Sequence, residues 1–136
     1  MTIYNDCILY LLAKAYQKAH ACFKRRLHEY GLTPVQSLVV MDISQAEGLS
    51  AKELGKRLLL DNATLSGVLD RLAEGGWITK ETADDDRRFL HLHLSDKARE
   101  LIGSLIKERD EANREIMSGL RLEEQILLRR MLKDLQ

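Results

Sequence analysis

The residue types that most often carry chemistry are sparse in this sequence, and their spacing narrows what they could do. His91 and His93 stand two apart in an alternating run, so both imidazoles would project from one face of a strand, as half a zinc site does. No third ligand at a recognisable spacing accompanies them. Glu81, across a hairpin, is a candidate, but strand histidines of this kind also simply face solvent or nucleic acid. The reading is therefore no bound metal and no cofactor. Cys7 and Cys22 fall in one helical pattern, separated by roughly 22 Å at the rise of an α-helix, too far to bridge. Half-buried small hydrophobes in a reducing compartment are the plain account of both; reactive thiols are the other. The sequence holds no activated serine, paired-carboxylate cleft or phosphate loop, so the chain is not expected to be an enzyme.

What remains is recognition, and the elements that would position it are mostly helical. A single proline and 5% aromatic residues favour helix, while 45% apolar and 31% charged residues are ordinary for a soluble protein. No apolar run approaches the ~20 residues of a membrane span, and the start Met1-Thr-Ile-Tyr-Asn-Asp6 lacks the basic flank of a signal peptide; a cytoplasmic location is expected. The net charge is zero, and residues 50–95 hold seven basic groups against eight acidic ones. A nucleic-acid site would have to come from local placement of Lys and Arg, with the carboxylates turned away.

Apolar residues at helical spacing (Ile8, Leu12, Ala15, Ala19, Cys22, widened by Leu9, Tyr16, Phe23 and Leu27) predict one long helix from about Asn5 to Tyr30, ended by Gly31. Thr33-Pro-Val-Gln36 is a capping box with proline at the first helical position, opening a helix to about Gln45. Ser50-Ala-Lys-Glu53 is a second box, flanked by Leu49 and Leu54 as a hydrophobic staple, and opens a short helix to Leu58. Only a tight turn precedes the next helix, capped by Asp61 or Asn62, so the pair reads as a helix-turn-helix. In its second member Leu65, Val68, Leu69 and Leu72 face the core, leaving Ala63, Ser66, Gly67 and Asp70 outward, small enough to approach a groove. Gly75-Gly76 stops it. Trp77–Lys80 and Arg88–Leu94 then read as two strands joined by the acidic turn Ala83–Asp86, with Leu90, Leu92 and Leu94 packed inward and the histidines on the other face. Ser95 caps a helix from Asp96 to about Ser118, and a last amphipathic helix follows from about Leu122 to Leu135. One lobe cannot bury both terminal helices and the first, so the ends of two subunits are expected to pack about a two-fold axis.

This order resembles the MarR family over nearly the whole chain. Three stretches carry the resemblance: Gly31-Leu-Thr33-Pro-Val-Gln36, Leu69-Asp-Arg71-Leu-Ala-Glu-Gly-Gly-Trp-Ile78, and Asp86-Arg-Arg88 followed by Leu90-His-Leu-His-Leu94-Ser95. The resemblance implies that Arg88 enters the minor groove from the wing tip, that Asp86 helps hold the wing, and that Arg71 touches the DNA backbone or braces the wing. The physics agrees, since a narrow minor groove concentrates negative potential and an extended hairpin can present a guanidinium there. Arg87 would meet a phosphate. Asn62, Thr64 and Ser66, at the start of the recognition helix, can reach base edges, Thr64 from nearer the flank. Taken singly, Asn62 and Thr64 could merely cap, and the two arginines could be solvated. Gly67 departs from the larger polar residue often found there, and Arg71 is the helix's one basic residue, which shifts weight from base readout to the wing.

The expectation is thus a mainly α chain with a small β-hairpin wing, a winged helix-turn-helix at about 32–95 within a single domain of 1–136, with dimerisation helices at about 1–30 and 96–136. Its implied function is that of a homodimeric, sequence-specific regulator of transcription on a palindromic operator, a repressor released by a small effector. Family effectors are often phenolic anions, and His20, Lys24, Arg25 or Arg26 could meet one. The hydroperoxide-sensing branch is the alternative, through Cys7 or Cys22, yet that branch's cysteine position falls on Leu9, and its tyrosines are replaced by Pro34 and Ser37. A second alternative keeps the fold as a protein-interaction module.

Overall fold

The computed structural model describes residues 2–83 and 86–136, with the backbone alone for residues 83 and 86–89. Helix α1 (Ile8–Leu27) begins at the first residue of the apolar stripe, three residues later than the expected Asn5, and its N-cap Cys7 offers no side-chain hydrogen bond. His28–Tyr30 tighten into a 3₁₀ turn, and Gly31 closes it at φ 70°. In α2 (Pro34–Gln45) the Gln36 N–H donates to Thr33 Oγ1 at 3.2 Å, and the Thr33 N–H donates to Gln36 Oε1 at 2.9 Å. The box at Ser50 and Glu53 opens α3 (Ala51–Leu58) in the same way, with the staple residues Leu49 and Leu54 both buried. The turn before α4 (Asn62–Glu74) passes through Leu59, a leucine held left-handed at φ 54° and 81% exposed, so local strain there has no burial to offset it.

Strands β2 (Ile78–Ala83) and β3 (Asp86–Leu94) form the hairpin. Both run further than their apolar alternation, since ladder hydrogen bonds carry the pairing past the point where the core ends; Glu81 and Thr82 are exposed. The acidic turn expected at Ala83–Asp86 falls on Asp84 and Asp85, which lie outside the described residues. A third strand, β1 (Leu49–Ser50), pairs antiparallel with β3, giving the order β1-β3-β2. Two residues are too few for alternation to show, and Ser50 serves as helix cap as well as ladder partner.

Ser95 joins the wing to α5 (Asp96–Ile116): its Oγ accepts from the Ala98 N–H at 3.1 Å and donates to the Gly76 carbonyl at 2.6 Å. Lys97 lies over Trp77, 4.6 Å from the ring centroid, and donates to the Gly75 carbonyl, so the base of α5 is tied to the end of α4. The core runs through Ile43, Leu54, Leu65, Leu72 and Leu92 and takes in Leu27 of α1 and Leu105 of α5.

The ends of the chain behave differently. Among described residues of α1, only Cys22 and Leu27 are buried, and α6 (Leu122–Asp134) buries none. Ile8, Leu9 and Tyr16 on the first helix and Leu122, Ile126 and Met131 on the last stand exposed. Among described residues no helix is long and apolar enough to cross a membrane.

Candidate nucleic-acid interface

Helices α3 and α4 and the root of the wing enclose an open cleft of about 590 Å³. Its floor is leucine, and its rim carries Lys52, Lys56, Asn62, Ser66, Asp70 and Lys80. The start of α4 is fixed by Asp61, whose carboxylate accepts from the Thr64 N–H at 2.8 Å and from the Thr64 hydroxyl at 2.9 Å. Those hydrogen bonds hold the Asp61 carboxyl below the usual aspartate range. Asp61, and not Asn62, is therefore the cap. Asn62 is the first helical residue, exposed beside Ser66 on the cleft, whereas the Thr64 hydroxyl is turned into the cap. Arg71 is exposed in the last turn of α4. Asp86, Arg87 and Arg88 lie in β3 by their backbone; their side chains are outside the described residues.

Sequence reasoning did not single out Lys52, Lys56 or Lys80. The first two had a readable signal: they sit one turn apart on α3, on the side away from buried Leu54. Lys80 had none, because its place depends on how β2 crosses α4, where its ammonium pairs with the Asp70 carboxylate. Arg57 points elsewhere, to Asp42 of α2 at 2.6 Å.

The histidines are tied back into the fold. His91 Nδ1 lies 2.9 Å from the Gly48 carbonyl, and His93 Nδ1 lies 3.1 Å from Glu47, whose other oxygen takes Arg99 at 3.0 Å. Glu81 stands 3.6 Å from His93 Nε2. Among the described residues no group of three His, Cys, Asp or Glu is placed to hold a metal ion.

Of the residues expected to meet an effector, Arg25 and Arg26 are already engaged. Arg25 donates to both Glu115 oxygens at 2.7 and 2.6 Å, and Arg26 lies 3.4 Å from Glu108 and 3.5 Å from Glu115. Cys22 Sγ, 2.8 Å from Glu115, joins this α1–α5 clasp. Burial, and then Glu115, pushes its thiol pKa up, away from the thiolate form. Cys7 is exposed. His20 lines a separate apolar cavity of about 210 Å³ with Tyr16, Phe23, Pro34, Val35 and Leu38; Lys24 is exposed on α1 and is not part of its wall.

The clasp makes a pH prediction. Its hydrogen bond from Cys22, and then Arg25 and Arg26, hold the Glu115 carboxyl below the usual glutamate range. A carboxyl depressed in the folded state adds stability that is fully present above its unfolded pKa of about 4.3 and is lost as pH falls through the folded value. Glu115→Gln should therefore melt below the wild type at pH 7. The gap should close as the pH drops below about 4. Thermal melts across this range read it directly; a gap independent of pH would mean that charge is not what the clasp uses.

A family model described as the MarR family matches residues 32–89. The transcriptional regulator TtmR of Methylorubrum extorquens is 38% identical over 93 residues, 66% of this chain and 48% of that protein. The chain thus spans about half the length of the curated relatives it matches. Among solved structures, a probable transcriptional regulator from Pseudomonas aeruginosa superposes at a TM-score of 0.90, with 31% identity over 97% of this chain and 98% of that one. A mutant MarR from E. coli, complexed with operator DNA, superposes at 0.88 over 99% of each chain, at 23% identity, a likeness of fold.

Proposed function

The chain belongs to the MarR family, and on that premise we propose that it is a DNA-binding regulator of transcription acting as a homodimer. Residues 32–95 form the DNA-binding lobe, and residues 1–30 and 96–136 pair it with a second copy. Asn62 and Ser66 face the major groove, Lys52 and Lys56 meet phosphates, Arg88 enters the adjacent minor groove with Asp86 shaping the wing, and Arg87 and Arg71 contact the backbone. The observation that carries this reading is the outward face of α4, standing open beside a cleft with lysines on its rim in a chain of zero net charge. Local placement supplies what composition does not. A neighbour of the same fold is known in complex with operator DNA, which supports the reading.

The regulator is a repressor in this reading, and a small aromatic molecule that enters the cavity beside His20 alters the spacing of the two recognition helices. The cavity wall is almost wholly apolar with one imidazole at its edge, which suits a single aromatic ring bearing a polar group. Redox control through Cys22 is disfavoured by its burial, which leaves the exposed Cys7 as the thiol for that alternative.

Fluorescence anisotropy with a labelled duplex from upstream of the chain's own gene tests the proposal. Affinity should fall steeply and log-linearly as salt rises, because phosphate contacts release counterions. It should weaken again when a phenolic anion such as salicylate is added. A chain that binds no duplex in dilute buffer is not a DNA-binding regulator, and binding without salt dependence points to a protein-interaction module instead.

A further inference from the structure

Asp70 is the acid on the wall of the proposed DNA cleft, and a carboxylate there opposes phosphate. The neighbouring acids have evident work within the fold: Asp61 and Glu53 cap helices, Asp42 takes Arg57, and Glu47 holds Arg99 and His93. Asp70 caps nothing. Among the described residues its partner is Lys80, whose ammonium reaches across from β2 to α4. The lysine is 26% exposed and its acid 59%, so the pair lies at the surface, where such contacts add little to folding. Its effect must be sought in what the cleft binds.

We propose that Asp70 is a specificity-determining residue that works by withholding Lys80 from DNA phosphates. This rests on the DNA-binding reading above. Sequence-independent affinity grows with each phosphate a free cation neutralises, whereas contacts to base edges do not share that dependence. By pairing one ammonium at the cleft rim with a carboxylate, Asp70 lowers binding to arbitrary DNA and leaves discrimination to α4 and the wing. The zero net charge of the chain agrees with a binder that limits its non-specific grip.

The test uses the full chain with two labelled duplexes of about 30 base pairs, one from upstream of its gene and one with the same bases scrambled, titrated across salt. Asp70→Asn keeps the shape and removes the charge. It should steepen the log–log salt slope by about 0.9 for each subunit in contact, tightening the scrambled duplex about eightfold per subunit at 0.1 M salt. The affinity ratio between the two duplexes should shrink. Adding Lys80→Gln to Asp70→Asn should return the slope to that of the wild type. An unchanged slope in Asp70→Asn, or weaker binding to both duplexes, overturns the proposal, since Asp70 then only supports the fold. If the wild type binds neither duplex, the DNA-binding reading has failed and this inference goes with it; wild-type binding with an indifferent Asp70→Asn removes the inference alone.

Discussion

A chain carrying Leu9→Asp and Ile126→Asp should remain folded, sediment as a monomer and lose at least about 100-fold in affinity for duplex DNA. In a single copy these side chains are 78% and 61% exposed, so charging them costs the lobe almost nothing. In the proposed dimer each is buried, and two-fold symmetry repeats each change. Burial of one such side chain is worth about 1.5–3 kcal/mol, and an unpaired carboxylate in its place adds a further desolvation cost. Four substituted positions per dimer exceed what an interface of this kind can absorb. The loss at DNA follows from linkage: two lobes held together make the second half-site contact intramolecular, which multiplies affinity by about 10²–10⁴ without any new contact. Sedimentation, a thermal melt and anisotropy on the same samples separate the cases. A variant that stays dimeric, or a monomer that binds DNA as the wild type does, removes the terminal helices from the proposed assembly.

The same helices show where sequence is a good guide. An apolar stripe at helical spacing announces that a face will be covered, and Ile8, Leu9 and Tyr16 form one, but it does not say by what. Local signals proved the most legible: both capping boxes hold, Gly31 is left-handed, and Leu65, Leu69 and Leu72 are buried as their spacing requires. Each rests on residues within one or two turns of each other. Long-range pairings were not legible. Arg25 and Arg26 read in the sequence as cations open to an effector, and their partners Glu115 and Glu108 lie 90 and 82 residues away along the chain. Strand β1 exists because Leu49 meets Leu92, a contact that no window of sequence contains. The candidate interface divides along the same line. Its helix start was foreseen, whereas the lysine rim and the Asp70–Lys80 pair depend on how α3, α4 and β2 pack.

Arg88→Ala should weaken binding to the upstream duplex by about 10- to 100-fold and flatten its salt slope, with no change in melting temperature. The backbone places Arg88 in β3, the middle strand of the sheet, beyond the contact that β1 makes at His91 and Leu92. β1 and β2 fix β3 at its lobe end, and pairing with β2 carries the strand on past the core, where a guanidinium can be presented to a groove. A narrow minor groove focuses negative potential and favours such a group, and losing it costs about 1–3 kcal/mol. The neighbouring Arg87→Ala separates base-step preference from simple charge: as a phosphate contact, it should weaken all duplexes alike. Arg88→Ala should instead weaken A·T-rich, narrow-groove duplexes most. Equal losses on every duplex would make Arg88 another phosphate contact, and an unaltered affinity would mean that the wing does not touch DNA.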